Sequence, residues 1–136
     1  MTGRTRGGFE PTGVSADRRA VFEATPGPKE GKWTTVMQWD SYSSREYAGK
    51  FFGMKSASFE SYVDLPRQTN ETLELALGSR SAPRTRLAAA GWSLLDSREP
   101  TRDPWTYQAY IRNSKGEFSV AKQGYAVSHS GWFSER

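Results

Sequence analysis

The sequence predicts an α/β fold in which crossover helices connect the strands of a parallel sheet. Short apolar stretches rich in aromatic and β-branched residues alternate with stretches that carry helix-start signals. The predicted order is strand, helix, strand, helix, strand, helix, strand, which is typical of a parallel sheet. Two of the three predicted helices also have a proline near their first turn, where proline is well tolerated.

The first 31 residues are predicted to be a flexible linker or disordered tail. They are rich in Gly, Pro, Arg and Thr, and Ala20-Val21-Phe22 is too short an apolar cluster to form a core element. The folded domain is therefore expected to cover residues 32–136.

The first strand is predicted over Lys32–Trp39. Trp33 and Met37 fall on one face, and Thr34 and Val36 on the other, so both faces could be buried. The polar loop after it contains Ser41 and Tyr42. These two residues lie at the edge of the sheet where ligands tend to bind, but we interpret them as an ordinary connection.

The next segments are a helix, a strand, a second helix and a third strand. Residues 47–52 are left unassigned because Gly49 breaks any period. A helix is predicted from Ser56 to about Val63. The strand Leu73–Leu77 is followed by a helix that opens at Ser81-Ala82-Pro83 and runs through Ala90. Gly91 should cap this helix, and Trp92–Asp96 should form the third strand.

The last helix should begin at Asp103-Pro104, an N-cap residue followed by proline at the first helical position. Ile111 belongs to its inner face. Alternation of Phe118 and Val120 favours a fourth strand over Glu117–Ala121. The aromatic residues assigned to the core are Trp92, Trp105, Tyr107 and Tyr110.

Composition restricts the possible functions. The formal net charge of +4 favours anionic ligands, but no Lys/Arg block is dense enough to predict a nucleic-acid arm. With no Cys and one His, the chain lacks the residues for a disulfide framework or for a thiolate or histidine zinc site, and no metal site is predicted. The N-terminus lacks the apolar stretch of a signal peptide, and no window is long enough to span a membrane. We therefore expect a cytoplasmic protein.

Several stretches together resemble bacterial glycosyltransferases of the two-domain GT-B type. The likeness covers roughly Trp33 to Arg136. The matching pieces are Trp33–Trp39, Phe59–Pro66, Gly91–Asp96, and Glu117–Lys122 continuing to Ser130–Arg136, of which the last is the most specific.

The resemblance implies a Rossmann-like sheet that is incomplete. It places the chain at the linker and the first half of the C-terminal, donor-binding domain. The substrate would be a nucleotide-sugar donor, with no separate cofactor. The N-terminal acceptor domain and the rest of the C-terminal domain would be missing, so the chain alone is expected to be inactive.

Candidate donor-binding residues gather near the C-terminus. A buried strand followed by a loop rich in Ser and Gly is a common phosphate-binding arrangement in α/β folds. Lys122 follows the predicted fourth strand and could pair with a phosphate. Ser128, Ser130 and Gly131 could form the phosphate-facing turn. Beyond that turn, Glu135 could bind a sugar hydroxyl and Arg136 a phosphate.

Other functional residues and functions stay open. His129 is the one imidazole that could act as a base, but a lone loop histidine is more often simply exposed, so no catalytic residue is assigned. Trp132 and Phe133 could stack on a ligand, although packing beneath the loop is favoured. The alternative function is a small basic, non-enzymatic α/β module that binds a nucleotide, RNA or a partner protein. An unrelated complete domain is a third possibility.

Overall fold

The computed structural model describes residues 27–131. Its strands are β1 (Lys32–Met37), β2 (Arg45–Tyr47), β3 (Lys50–Phe52), β4 (Leu73–Leu77), β5 (Ser93–Asp96) and β6 (Ser114–Glu117). Its α-helices are α1 (Lys55–Phe59), α2 (Arg84–Ala89), α3 (Pro104–Arg112) and α4 (Gln123–Val127). Two short 3₁₀ turns, Glu60–Tyr62 and Leu65–Gln68, follow α1. Within this range, no helix is long and apolar enough to cross a membrane.

Four strands form one parallel sheet in the order β5-β4-β1-β6. The chain moves outward from β1 through β4 to β5 and then returns to the other side of β1 for β6. The connections carry α1 with its 3₁₀ turns, then α2, then α3. This confirms the prediction of an α/β parallel sheet with crossover helices, consistent with a Rossmann-like fold.

One face of the sheet holds the aromatic core. Phe59, with 0% of its surface exposed, lies between Trp39 and Trp92, whose ring centroids are each 5.2 Å from its own. Trp92 also donates its indole N–H to the carbonyl of Val63 at 2.8 Å, which satisfies the polar atom of a buried ring. Leu87 brings α2 onto the same face. The prediction that Trp92 is a core residue is confirmed.

The opposite face carries α3 and a buried carboxylate. Because strand side chains alternate, Thr34 and Glu74 point away from the aromatic core. The carboxylate of Glu74 accepts hydrogen bonds from Lys32, from the hydroxyl of Ser93 at 3.0 Å and from the hydroxyl of Tyr110 on α3 at 3.0 Å. A polar contact therefore attaches α3 to the sheet.

The N-cap of α3 and the glycine stop after α2 are where the sequence predicted them. The side chain of Asp103 accepts the N–H of Thr106 at 2.8 Å, and Pro104 occupies the first helical position of α3. Gly91 follows α2 with φ of +104°, a conformation that suits glycine. The helix predicted from Ser56 to Val63 is only partly α-helical. The α-helix α1 ends at Phe59, and the chain continues as a 3₁₀ turn.

The fourth strand was predicted too late in the sequence. It is Ser114–Glu117, not Glu117–Ala121, and Gly116 pairs with Trp33 of β1. A Cβ atom at Gly116 would lie 2.5 Å from the Trp33 ring, so the glycine makes room for the indole on this strand. Phe118 and Val120 lie just beyond the strand, where Val120 belongs to the core and Phe118 packs against it.

The aromatic face of α3 is less buried than predicted. Trp105 is 64% exposed, and Tyr107 and Tyr110 are only partly buried, so assigning all three to the core was wrong. The hydroxyl of Tyr110 donates to the Glu74 carboxylate, so this residue makes a polar contact with the sheet rather than apolar core packing alone. No residue of α3 is fully buried.

The unassigned segment 47–52 belongs to an antiparallel hairpin of β2 and β3. Ala48 and Gly49 form its turn with φ of +50° and +71°. Positive φ at both central residues is what two-residue hairpin turns of the primed type require. Gly49, which obscured the period of the sequence, is therefore the residue that permits the hairpin.

Candidate functional site

The strand order brings the carboxyl ends of β1 and β6 side by side, because these two strands pair in parallel. In open α/β sheets, ligands bind beyond the carboxyl ends of the strands. Here the loop after β1 leads to Tyr42 and the hairpin, and the segment after β6 leads to α4. A groove of about 280 Å³ lies between these two regions.

Close backbone contact fixes α4 against the hairpin side of the groove. The N–H of Gly124 donates to the carbonyl of Gly53 at 2.9 Å, and the N–H of Gly53 donates to the Gln123 side-chain oxygen at 2.6 Å. A Cβ atom at Gly53 would lie 2.7 Å from the Phe51 ring, and one at Gly124 would lie 3.3 Å from Phe52. Glycine at both positions lets the two segments approach.

Lys122 is the N-cap residue of α4 and reaches into this groove. It does not follow directly on β6, as the sequence suggested, because that strand ends at Glu117. Its ammonium nitrogen lies 4.2 Å from the centroid of the Tyr42 ring and 5.6 Å from that of Tyr125. Both distances are within the range of a cation–π interaction.

The groove is electropositive. Arg45 and Lys122 both line it, and no carboxylate is among the described residues that line it. A hydrogen bond with Lys122, and a second with Tyr125, lower the pKa of the Tyr42 phenol below its ordinary value. A neighbouring cation that favours the phenolate would also favour another oxyanion at the same place.

The serine-rich segment lies at the C-terminal end of a helix, not at the start of one. Ser128 is the C-cap residue of α4 and lines the groove, whereas Ser130 and Gly131 do not line it. The backbone N–H groups of Ser128, His129 and Ser130 donate to carbonyls of α4. Of the predicted phosphate-binding residues, the structure thus brings together Lys122 and Ser128.

The other residues singled out from the sequence are not in this groove or lie outside the described residues. His129 is exposed, with φ of +51°, and does not line the groove. Glu135 and Arg136, with Trp132 and Phe133, lie outside the described residues.

Sequence reasoning missed three groove residues. Tyr42 was interpreted as part of an ordinary loop, and Arg45 and Tyr125 were not considered. Arg45 lies on β2, whose hairpin was not predicted, and Tyr125 lies on α4 in a stretch interpreted as a loop. The one available signal was the position of Tyr42 just after a predicted strand.

Comparison of the chain with protein-family models, with curated proteins and with solved structures found no match. Across residues 27–131 there is also no group of three or more His, Asp or Glu side chains arranged to hold a metal ion.

Proposed function

We propose that this chain is a nucleotide-binding α/β module that holds a diphosphate in the groove containing Lys122. The observation that carries this proposal is the position of the Lys122 ammonium group. It lies against the Tyr42 ring in a groove lined by the segments that follow the carboxyl ends of β1 and β6. Arg45 adds a second cation, and the net charge of +4 of the chain acts in the same direction.

The groove offers both kinds of contact that a nucleotide requires. Lys122 and Arg45 can neutralise phosphate oxygens, Arg45 through a bidentate pair of N–H groups. The rings of Tyr42 and Tyr125 provide apolar faces for a base or a sugar, and the hydroxyl of Ser128, which donates to the Tyr125 carbonyl, can accept a hydrogen bond from a sugar or base.

Within this class, the ligand we favour is a nucleotide-sugar donor. The resemblance to GT-B glycosyltransferases supports this choice, because their leaving group is usually a nucleoside diphosphate. Lys122 and Arg45 would then stabilise the negative charge that develops on that group during transfer. The acceptor and the catalytic base would come from another domain, so we expect the chain alone to bind the donor without transferring its sugar.

The test is calorimetric titration of the chain with uridine diphosphate and, separately, with uridine. We expect the diphosphate to bind more tightly, and Lys122→Ala to weaken its binding on the order of tenfold or more, since a charge-assisted hydrogen bond is lost. Lys29→Ala removes an exposed lysine that does not line the groove and serves as the control, with an expected change below about twofold. Equal affinity of Lys122→Ala and the parent chain would refute the proposed function.

A further inference from the structure

A second groove lies at the same edge of the sheet, beyond the carboxyl ends of β4 and β5. Its volume is about 490 Å³. The polar and charged residues that line it include Gln38, Ser79, Arg80, Arg84, Asp96 and Arg98. We call it the arginine groove. It shares no lining residue with the groove that contains Lys122.

Arg84 is held in place by backbone carbonyls. One terminal nitrogen of its guanidinium donates to Ser79 O at 3.0 Å, and the other to Leu77 O at 3.2 Å. These acceptors carry no net charge, so the positive charge of Arg84 is not cancelled. A guanidinium has five N–H groups, and at least two of those on Arg84 stay available after these contacts.

Arg98 and Asp96 form a bidentate ion pair. The Arg98 Nε donates to one carboxylate oxygen at 3.0 Å, and its terminal nitrogen donates to the other at 2.7 Å. The backbone N–H of Arg98 also donates to Asp96 at 2.9 Å. These hydrogen bonds hold the pKa of the Asp96 carboxyl far below its usual range. The pair therefore stays ionised and adds no net charge, and Arg98, which lines the groove, keeps N–H groups that these bonds do not use.

Arg80 makes no hydrogen bond or ion pair with any residue in the described part of the chain. It follows Ser79, which has φ of +59° and whose hydroxyl bonds to the backbone of Asp40. That contact fixes the loop that carries Arg80 against the end of β1. The Asp40 carboxylate does not line the groove and accepts the hydroxyls of Ser56 at 2.5 Å and Ser81 at 3.2 Å.

We propose that the arginine groove binds a phosphate monoester dianion, at a site separate from the Lys122 groove. Three guanidinium groups against one carboxylate leave two positive charges uncompensated, which matches a dianion. Because Arg84 and Arg98 are already fixed by other contacts, little side-chain entropy is lost when they bind. Free N–H groups on planar guanidinium forks suit the oxygens of a phosphate, and the groove has room for the group that it esterifies.

The experiment is titration of the chain with methyl phosphate and with dimethyl phosphate, followed by calorimetry and by amide chemical shifts. We expect methyl phosphate to bind about tenfold more tightly than the monoanionic diester and to shift the amides of Ser79, Arg80 and Ser97. Arg80→Gln should weaken methyl phosphate binding about tenfold. This variant should fold normally, because Arg80 is exposed and supports no other residue.

Two control variants locate the site. Arg112→Gln removes an exposed arginine outside both grooves and should change the affinity for methyl phosphate by less than about twofold. Lys29→Ala, which removes an exposed lysine outside both grooves, should also leave it unchanged. The inference is overturned if the parent chain shows no saturable binding, if Arg80→Gln binds as well as Arg112→Gln, or if Lys122→Ala is the variant that loses binding.

Discussion

Phe59 is the residue on which the aromatic core is centred. Its ring contacts those of Trp39 and Trp92, and the Phe118 ring approaches it edge-on at 6.4 Å. These partners come from the segment after β1, from the residue before β5 and from the segment after β6. A single side chain thus joins parts of the chain that are far apart in sequence.

Replacing Phe59 with Ala should lower the free energy of unfolding by about 3–5 kcal/mol, since it removes buried apolar surface and leaves a cavity that the surrounding rings cannot fill. Urea denaturation would measure this change. The matched control is Phe51→Ala, which removes the same atoms from a ring that is 51% exposed on β3 and should cost less than about 1 kcal/mol. Similar losses in the two variants would show that the core is not centred on Phe59.

The elements predicted correctly are those marked by local residue signals. The helix starts at Asp103-Pro104 and at Pro83 and the glycine stop at Gly91 are local signals, and local signals can be predicted from sequence. The position of Gly116 opposite the Trp33 ring depends on a strand more than 80 residues away, and no local pattern reports it. That distant contact explains why the fourth strand was placed too late.

At the scale of elements, Glu74 connects three strands and a helix. It lies on β4, and its hydrogen-bond donors come from β1, β5 and α3. Burial alone would raise the pKa of this carboxyl, but the hydrogen bonds, first that from Lys32, outweigh burial and lower the pKa below its ordinary value of 4.5. The folded state therefore binds a proton at Glu74 less readily than the unfolded state does.

The lowered pKa gives a pH dependence with a definite sign. Stability from Glu74 is present above the unfolded pKa and is lost as the pH falls through the folded pKa. At pH 7 we expect Glu74→Gln to lower the free energy of unfolding by about 1–3 kcal/mol. This deficit should shrink as the pH falls below about 4.5. Chemical denaturation at several pH values would measure it.

The control for that series is Glu46→Gln, an exposed carboxylate on β2, which should change stability little at any pH. If the free energy of unfolding of Glu74→Gln stayed below that of the parent chain by the same amount from pH 7 to pH 3, a lowered pKa of Glu74 would be contradicted.

Only part of the candidate site was predicted, since the site depends on distant contacts as well as on local sequence. Lys122 was recognised from its position after an apolar run, and the structure does place it in a groove between the segments that follow β1 and β6. Its partner Tyr42 is 80 residues earlier, and α4 was interpreted as a loop. The arginine groove was missed for the same reason, since Arg80 and Arg98 follow two different strands and meet only when those strands pair.

On the scale of the whole molecule, the structure divides into a buried sheet and an exposed hairpin. Every residue of β4 is buried, and this strand pairs with β1 on one side and β5 on the other. Within residues 27–131, the two hairpin strands pair only with each other, and all three residues of β2 are exposed. Its attachment to the rest of the fold includes the contacts of Gly53 with α4. Arg45, one of the two cations of the Lys122 groove, is therefore carried on the less buried of the two units.

This division predicts a gradient of amide hydrogen exchange. The amides of β4 should exchange only with global unfolding, whereas the cross-strand amides of the hairpin should exchange through local opening, on the order of 100-fold faster or more. Nuclear magnetic resonance at several pH values would measure both sets in one sample, with Arg45, Tyr47 and Phe52 as reporters for the hairpin. Equal protection of hairpin and β4 amides would show instead that the two open as one unit, and that Arg45 is held as firmly as the sheet.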